Sequence, residues 1–298
     1  MTVETNASQA PEFHPLVDSI ARASDLNELF AMPLQYPDEG LWLDAQSLVH
    51  QSLFHQSGFH QTLVNKNDQR LREAVIAYGR ARWGTENRHV AGSGFIVAYL
   101  TRLTYPLISQ YVLHRRIPDV SLGNLAFHTN DNGFDATALK KPRFAALPDD
   151  PASGHPDALI VADEAALYAQ LKEWLFDCNF GIVIPSIHRA AQASLKVSWN
   201  AVASSCAQVF HRLFDLAADP ESVVRKAEAF FDDPSSPVYK QVTMDFIEHQ
   251  GKLGYFARRH GCCLWWRVEQ TKGYCAGCIL LSREEQDIRF RDSLEIGR

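Results

Sequence analysis

Val120-Ser-Leu-Gly-Asn-Leu-Ala-Phe-His128, then Thr129-Asn-Asp-Asn-Gly133, then Phe134-Asp-Ala-Thr-Ala-Leu139 run without a break through the middle of the chain. The outer two segments have strand composition, and the Asn-Gly between them supplies the positive φ angles of a tight hairpin turn. Arg143–Leu147 reads as a further returning strand. A loop rich in Pro, Asp, Gly and Ser follows over Pro148–Asp157. A small antiparallel sheet is therefore expected at about 118–147.

Outward from this sheet the apolar period changes from two to about 3.6. Leu16, Ile20 and Leu29 mark a helix in His14–Ala31, and Leu71, Ala74, Val75 and Tyr78 share a face of a helix at Asn67–Trp83. Ala91–Leu113 is the longest apolar stretch and ends as a helix before Pro118. On the other side Asp163–Phe180, Ser186–Ala217 and Glu221–Phe231 read as helices. Met244–Arg259 reads as a last helix, broken at Gly251 and Gly254. The expected fold class is α+β and predominantly α-helical, with a small antiparallel sheet in the middle and a C-terminal cysteine-rich segment. Residues 1–14 read as a flexible tail, 15–250 as the mainly helical body, and 251–298 as a segment packed on it.

Hydrophobic residues make up 46% of the 298 positions, enough for a packed core. The net charge of −6 argues against a nucleic-acid binder and against an electrostatic membrane anchor. Arg102 lies near the centre of the most apolar stretch, where a charge is costly in hydrocarbon, so that stretch reads as a buried helix and no stable membrane insertion is expected. The polar start Met1–Pro11 has no targeting pattern, and a reducing cytoplasm is the expected compartment.

Six cysteines are too few for a disulfide scaffold of this length, but four fall within seventeen positions. The segment reads His260-Gly-Cys262-Cys263-Leu-Trp265-Trp266-Arg267, and after a spacer Tyr274-Cys275-Ala-Gly277-Cys278. The Cys275-x-x-Cys278 thiolates can turn towards one iron, with Gly277 letting backbone N–H groups approach the sulfurs. Cys262 and Cys263 are adjacent, so their side chains diverge unless Gly261 supplies a sharp turn. Two metal atoms relax that demand. This favours a [2Fe–2S] cluster over a single Zn²⁺, whose ligand pairs are usually separated by two to four residues. Structural zinc remains the alternative. Lys252, Arg258, Arg259, Arg267 and Lys272 stand against Glu269 alone in residues 251–278. Such a basic setting stabilises a reduced, more negative cluster and attracts an anionic partner. Trp265 and Trp266 are placed to shield the sulfurs.

Cys262, Cys263, Cys275 and Cys278, with Trp265, Trp266 and Arg267, resemble the C-terminal signature of the FhuF-like ferric-siderophore reductases. The spacer is one residue longer than the family's usual pattern. Ile117-Pro-Asp-Val-Ser-Leu-Gly-Asn124 and Trp199-Asn200 add softer similarity, and the resemblance spans roughly residues 70–280. It implies a cytoplasmic oxidoreductase whose four cysteines hold [2Fe–2S] and reduce Fe³⁺ in a siderophore, commonly of the hydroxamate type. Hard oxygen ligands hold Fe³⁺ more tightly than Fe²⁺, so one electron loosens the chelate.

Gly92-Ser-Gly94 begins like a dinucleotide fingerprint, but position 97 is Val and no strand precedes it, and there is no phosphate loop. Electrons are therefore expected from an external donor such as a ferredoxin or a reductase. Cys178 and Cys206 sit among apolar neighbours and read as core. His260, Arg267, Arg102 and Asn200 are the candidate chelate contacts. The competing readings are a ferric-chelate binding protein with structural zinc, and a protein related to siderophore assembly.

Overall fold

The computed structural model describes residues 14–34, 42–45, 58–130, 133–267 and 273–297. The tail expected at 1–14 thus lies almost wholly outside the described residues, as do Glu269 and Lys272. The architecture is mostly α with a few short strands, as the fold class anticipated.

Helix α1 (Pro15–Leu26) is followed by α2 (Gly58–Trp83) and α3 (Arg88–His114). Asn87 caps α3 through its side-chain oxygen, which accepts from His89 and Val90 N–H. Buried side chains face every side of α3, because α1, α2 and later helices surround it. Its Gly92 and Gly94 have packing roles. A methyl at Gly92 would lie 2.9 Å from Ala193 Cβ, and one at Gly94 would lie 2.5 Å from the Trp83 ring.

The central hairpin forms as expected: β3 (Leu125–Asn130) pairs antiparallel with β4 (Gly133–Leu139), in register from Leu125–Leu139 to Asn130–Gly133. Its two turn residues lie outside the described set. Strand β1 (Trp42–Asp44) adds to the free edge of β3. Phe144–Ala146 (β5) is a strand but does not return to this sheet. It pairs antiparallel with β2 (Ile117–Pro118) and parallel with β6 (Ala158–Ile160). Asn124 explains the diversion. Its buried amide bonds Asp119 O, Lys141 O and Lys141 N–H, pinning the bend at Lys140 and Lys141 that leads out of β4.

Helix α4 (Glu164–Lys172) continues through a π-helical stretch, Glu173–Phe180, into α5 (Gly181–Ala191). The long helix expected over Ser186–Ala217 is two. Gln192 takes a left-handed conformation (φ 56°) that ends α5, and Ser194 caps α6 (Leu195–Leu216) through Val197 N–H. Helix α7 (Pro220–Phe231) matches its expected span.

The helix expected at Met244–Arg259 is a β-hairpin, β7 (Val242–His249) with β8 (Lys252–Arg259). Gln250 (φ 52°) and Gly251 (φ 76°) make the two-residue turn, so the glycine taken for a helix break is a hairpin signal. Tyr255 and Phe256 are buried against α6, where His211 Nδ1 donates to Tyr255 O at 2.9 Å. A final helix, α8 (Arg283–Ile296), packs on this hairpin through Phe290, which stacks on Phe256 at 4.7 Å.

Candidate metal centre

The cysteine segment is folded onto the end of β8. Arg259 N–H donates to Gly277 O at 3.1 Å, and Cys278 N–H donates to Cys275 O at 3.0 Å, closing the Cys275–Cys278 turn. Helix α8 holds this turn from behind. Gln286 Nε2 donates to Cys278 O and Leu281 O, and Arg289 donates to Tyr274 O.

Gly261 is a close-approach residue. A methyl there would lie 1.9 Å from Asn200 Nδ2, so the buried Asn200 amide presses on the backbone that leads into Cys262. The sharp turn expected at Gly261 comes three residues later, where Leu264 takes φ 61°. Leu264 N–H donates to Cys262 Sγ at 3.3 Å.

Cys263 and Cys275 meet. A thiol hydrogen bond joins them and holds Cys263 below the ordinary cysteine range against the effect of burial. The nearby Arg259 guanidinium acts in the same direction, its Nη1 lying 3.1 Å from Cys263 Sγ. The same thiol bond, with burial, pushes Cys275 up. Cys278 is buried and close enough to influence Cys275. A cavity of about 240 Å³ opens beside the pair, with Cys263, Cys275, Arg259 and Trp265 in its wall and Thr101 and Ser204 opposite. Trp265 is held edge-on against Trp83 at 4.8 Å, and Trp83 fits because residue 94 is glycine.

This donor set suits an iron–sulfur centre. The polar groups on the sulfurs are N–H donors and other thiols. Among the described residues the only His/Cys/Asp/Glu trio with ligand atoms all within 4.8 Å is His14, His155 and Asp157. In that trio both histidine Nδ1 atoms accept backbone N–H bonds, from Leu16 and Asp157, so the rings are hydrogen-bonded rather than open for ligation.

The other expected contacts are dispersed. His260 uses both ring nitrogens, Nδ1 donating to Lys240 O at 2.7 Å and Nε2 meeting Thr243 Oγ1 at 2.8 Å. Arg267 is exposed, its guanidinium 5.1 Å from the Trp266 ring centroid. Arg102 Nη1 donates to Ala98 O on its own helix, α3. Asn200 is buried behind Gly261, and its Oδ1 has no hydrogen-bond partner among the described residues. Cys206 is fully buried in α6, and Cys178 sits in the π-helical stretch near Asp119, Glu173 and Asp177. Sequence reasoning missed Thr101, Ser204 and Gln208, which line the cavity. They are ordinary polar positions on α3 and α6 and carry no motif.

A family model described as "Ferric iron reductase FhuF-like transporter" matches residues 93–253, just over half of the chain. The chain belongs to this FhuF family. The match ends before Cys262, so the cysteine segment is evidence independent of it. Among solved structures, the aerobactin synthetase IucC from a hypervirulent pathotype of Klebsiella pneumoniae is similar at 15% identity and TM-score 0.42, over 71% of this chain and 33% of that one. The aerobactin synthetase IucA from the same source gives 12% identity and TM-score 0.41, over 57% and 34%. The petrobactin biosynthesis protein AsbB from Bacillus anthracis str. Sterne gives 11% and 0.41, over 68% and 31%. The chain spans about a third of the length of each. No curated protein gives a match. No helix among the described residues is long and apolar enough to cross a membrane.

Proposed function

We propose that the protein is a ferric-siderophore reductase in which Cys262, Cys263, Cys275 and Cys278 hold a [2Fe–2S] cluster. The observation that carries this reading is the Cys263–Cys275 thiol pair, in contact with Arg259 in the wall of a cavity between the cysteine segment and the family-matched helices. When bound, the cluster supplies reversible one-electron transfer. The chain's own residues do the rest. Arg259 and Leu264 N–H donate to sulfurs, Trp265 limits water at one wall, and the Gly277 contact fixes the Cys275–Cys278 turn on β8.

The balance is one electron in and one out. An external one-electron donor protein, of ferredoxin or reductase type, supplies it, and Fe³⁺ in the chelate becomes Fe²⁺. No carbon bond is made or broken, so no proton-transfer triad is required. The cavity is smaller than the roughly 300–1,000 Å³ of sites that enclose drug-sized ligands. The chelate is therefore expected to dock at its mouth, and a hydroxamate type remains the expected class. The compartment this implies is the reducing cytoplasm.

The test is a single turnover. Protein reduced anaerobically and freed of reductant is mixed with a ferric trihydroxamate and a ferrous trap. The expected yield is about one Fe²⁺ per cluster with matching reoxidation of the visible spectrum. A cluster that stays reduced while no Fe²⁺ appears would count against the reading and for a chelate-binding role.

A further inference from the structure

The basic residues that precede and enter the cysteine segment do not act as one field. Lys252 Nζ donates to Leu294 O at 2.8 Å and so caps the end of α8. Arg258 is buried and bound by Asp245, Gln286 and Asp287, so its charge is neutralised away from the sulfurs. Arg267 is exposed above Trp266. Strand alternation sends Arg259 to the opposite face from Arg258. Among the described basic residues of 251–278, Arg259 is the one recorded in contact with a cysteine sulfur. It is also the one charged side chain among the residues lining the cavity.

Arg259 further joins the two halves of the cysteine motif. Its backbone N–H holds Gly277 O at 3.1 Å, inside the Cys275–Cys278 turn. Its side chain holds Cys263 Sγ at 3.1 Å, in the Cys262–Cys263 pair. We propose that Arg259 is the residue that sets the reduction potential of the centre, and that it does so on the Cys263–Cys275 side, the side facing the cavity. This rests on the reading of the four cysteines as cluster ligands.

The physical argument is differential. Reduction adds one negative charge, and a charge-assisted N–H···S bond strengthens as the sulfur becomes more negative. Arg259 supplies that bond to Cys263 Sγ. Its partial burial protects the contact from salt, unlike an exposed arginine. Cys263 and Cys275 line the cavity, whereas Cys262 and Cys278 do not. The charge gained from the donor is thus favoured on the side from which Fe³⁺ in the chelate is reached.

The test uses the full chain, loaded and handled without air. Iron and sulfide are measured first. Wild-type protein holding neither would overturn the cluster reading itself, and this inference with it. With both present, protein-film voltammetry compares Arg259→Gln, Arg259→Lys and Arg267→Gln. Arg259→Gln is expected to shift the redox equilibrium about tenfold towards the oxidised form, which for one electron is a potential about 59 mV lower. Arg259→Lys should recover part of this, and Arg267→Gln should move less. An unchanged potential in Arg259→Gln at wild-type iron and sulfide content overturns the inference, as does an equal shift in Arg267→Gln. If Arg259→Gln does not load, the lysine variant decides. A lower potential in Arg259→Lys at wild-type iron and sulfide content, insensitive to salt as a half-buried contact should be, supports the inference, and an unchanged potential in Arg259→Lys overturns it.

Discussion

Gly277 lies so close to Ala257 that a methyl on its α-carbon would sit 2.1 Å from the Ala257 carbonyl oxygen. The Cys275–Cys278 turn and strand β8 are therefore in backbone contact, and the position of two cysteines depends on one missing side chain. Gly277→Ala should force the turn away from β8 and lower stability by about 1–3 kcal/mol. Iron content per chain should fall with it. A variant with unchanged melting temperature and unchanged iron would show that the contact does not position the turn.

The buried guanidinium of Arg258 ties β8 to α8 through Asp245, Gln286 and Asp287. Removing it leaves Asp287 without its cation and Asp245 with only the exposed Arg283. Arg258→Met is expected to cost about 2–4 kcal/mol. Urea unfolding with an unchanged slope would report this as a lowered midpoint. A midpoint equal to wild type would mean the network contributes nothing net.

Cys206 is fully buried and Cys178 lies beside acidic groups. If neither is a ligand, Cys206→Ala and Cys178→Ala should keep the visible spectrum. Stability should drop by roughly 1 kcal/mol, more at Cys206 because it is the more buried. A folded variant that has lost its colour would make that cysteine a ligand.

Burial alone would raise the Asp150 carboxyl, but the bidentate Arg116 guanidinium and Ala152 N–H outweigh it and hold it below its ordinary value. The pair is almost wholly buried. A carboxyl depressed in the folded state contributes stability above its unfolded pKa and loses it as pH falls through the folded value. The melting temperature should therefore decline below about pH 4, the ordinary range for Asp. Asp150→Asn should start lower at neutral pH and flatten that decline. If the variant follows the wild-type curve in parallel, the acid sensitivity has another source.

The helical body was legible because α3, α6 and α7 carry apolar residues at helical spacing over many turns. The β3–β4 hairpin was legible from Asn-Gly. Three features were not. The β7–β8 hairpin was hidden because Gly251 serves equally as a helix break or a turn, and Tyr255 and Phe256 fit either period. Helix α8 has little apolar periodicity, yet Ser282 and Glu285 form a capping box that marks its start. The break between α5 and α6 rests on a left-handed Gln192, which local propensity does not favour. In the site, the cysteine types and spacing were legible. The contacts that distinguish Arg259 from Arg258 were not, since they depend on which face of β8 each occupies.

The most direct test of the account is the metal and sulfide content of protein prepared without air, read with its absorption spectrum. The account predicts about two iron and two sulfide per chain with visible charge-transfer bands, and loss of both in Cys275→Ser and Cys278→Ser. Colourless protein holding stoichiometric zinc and no iron would contradict it.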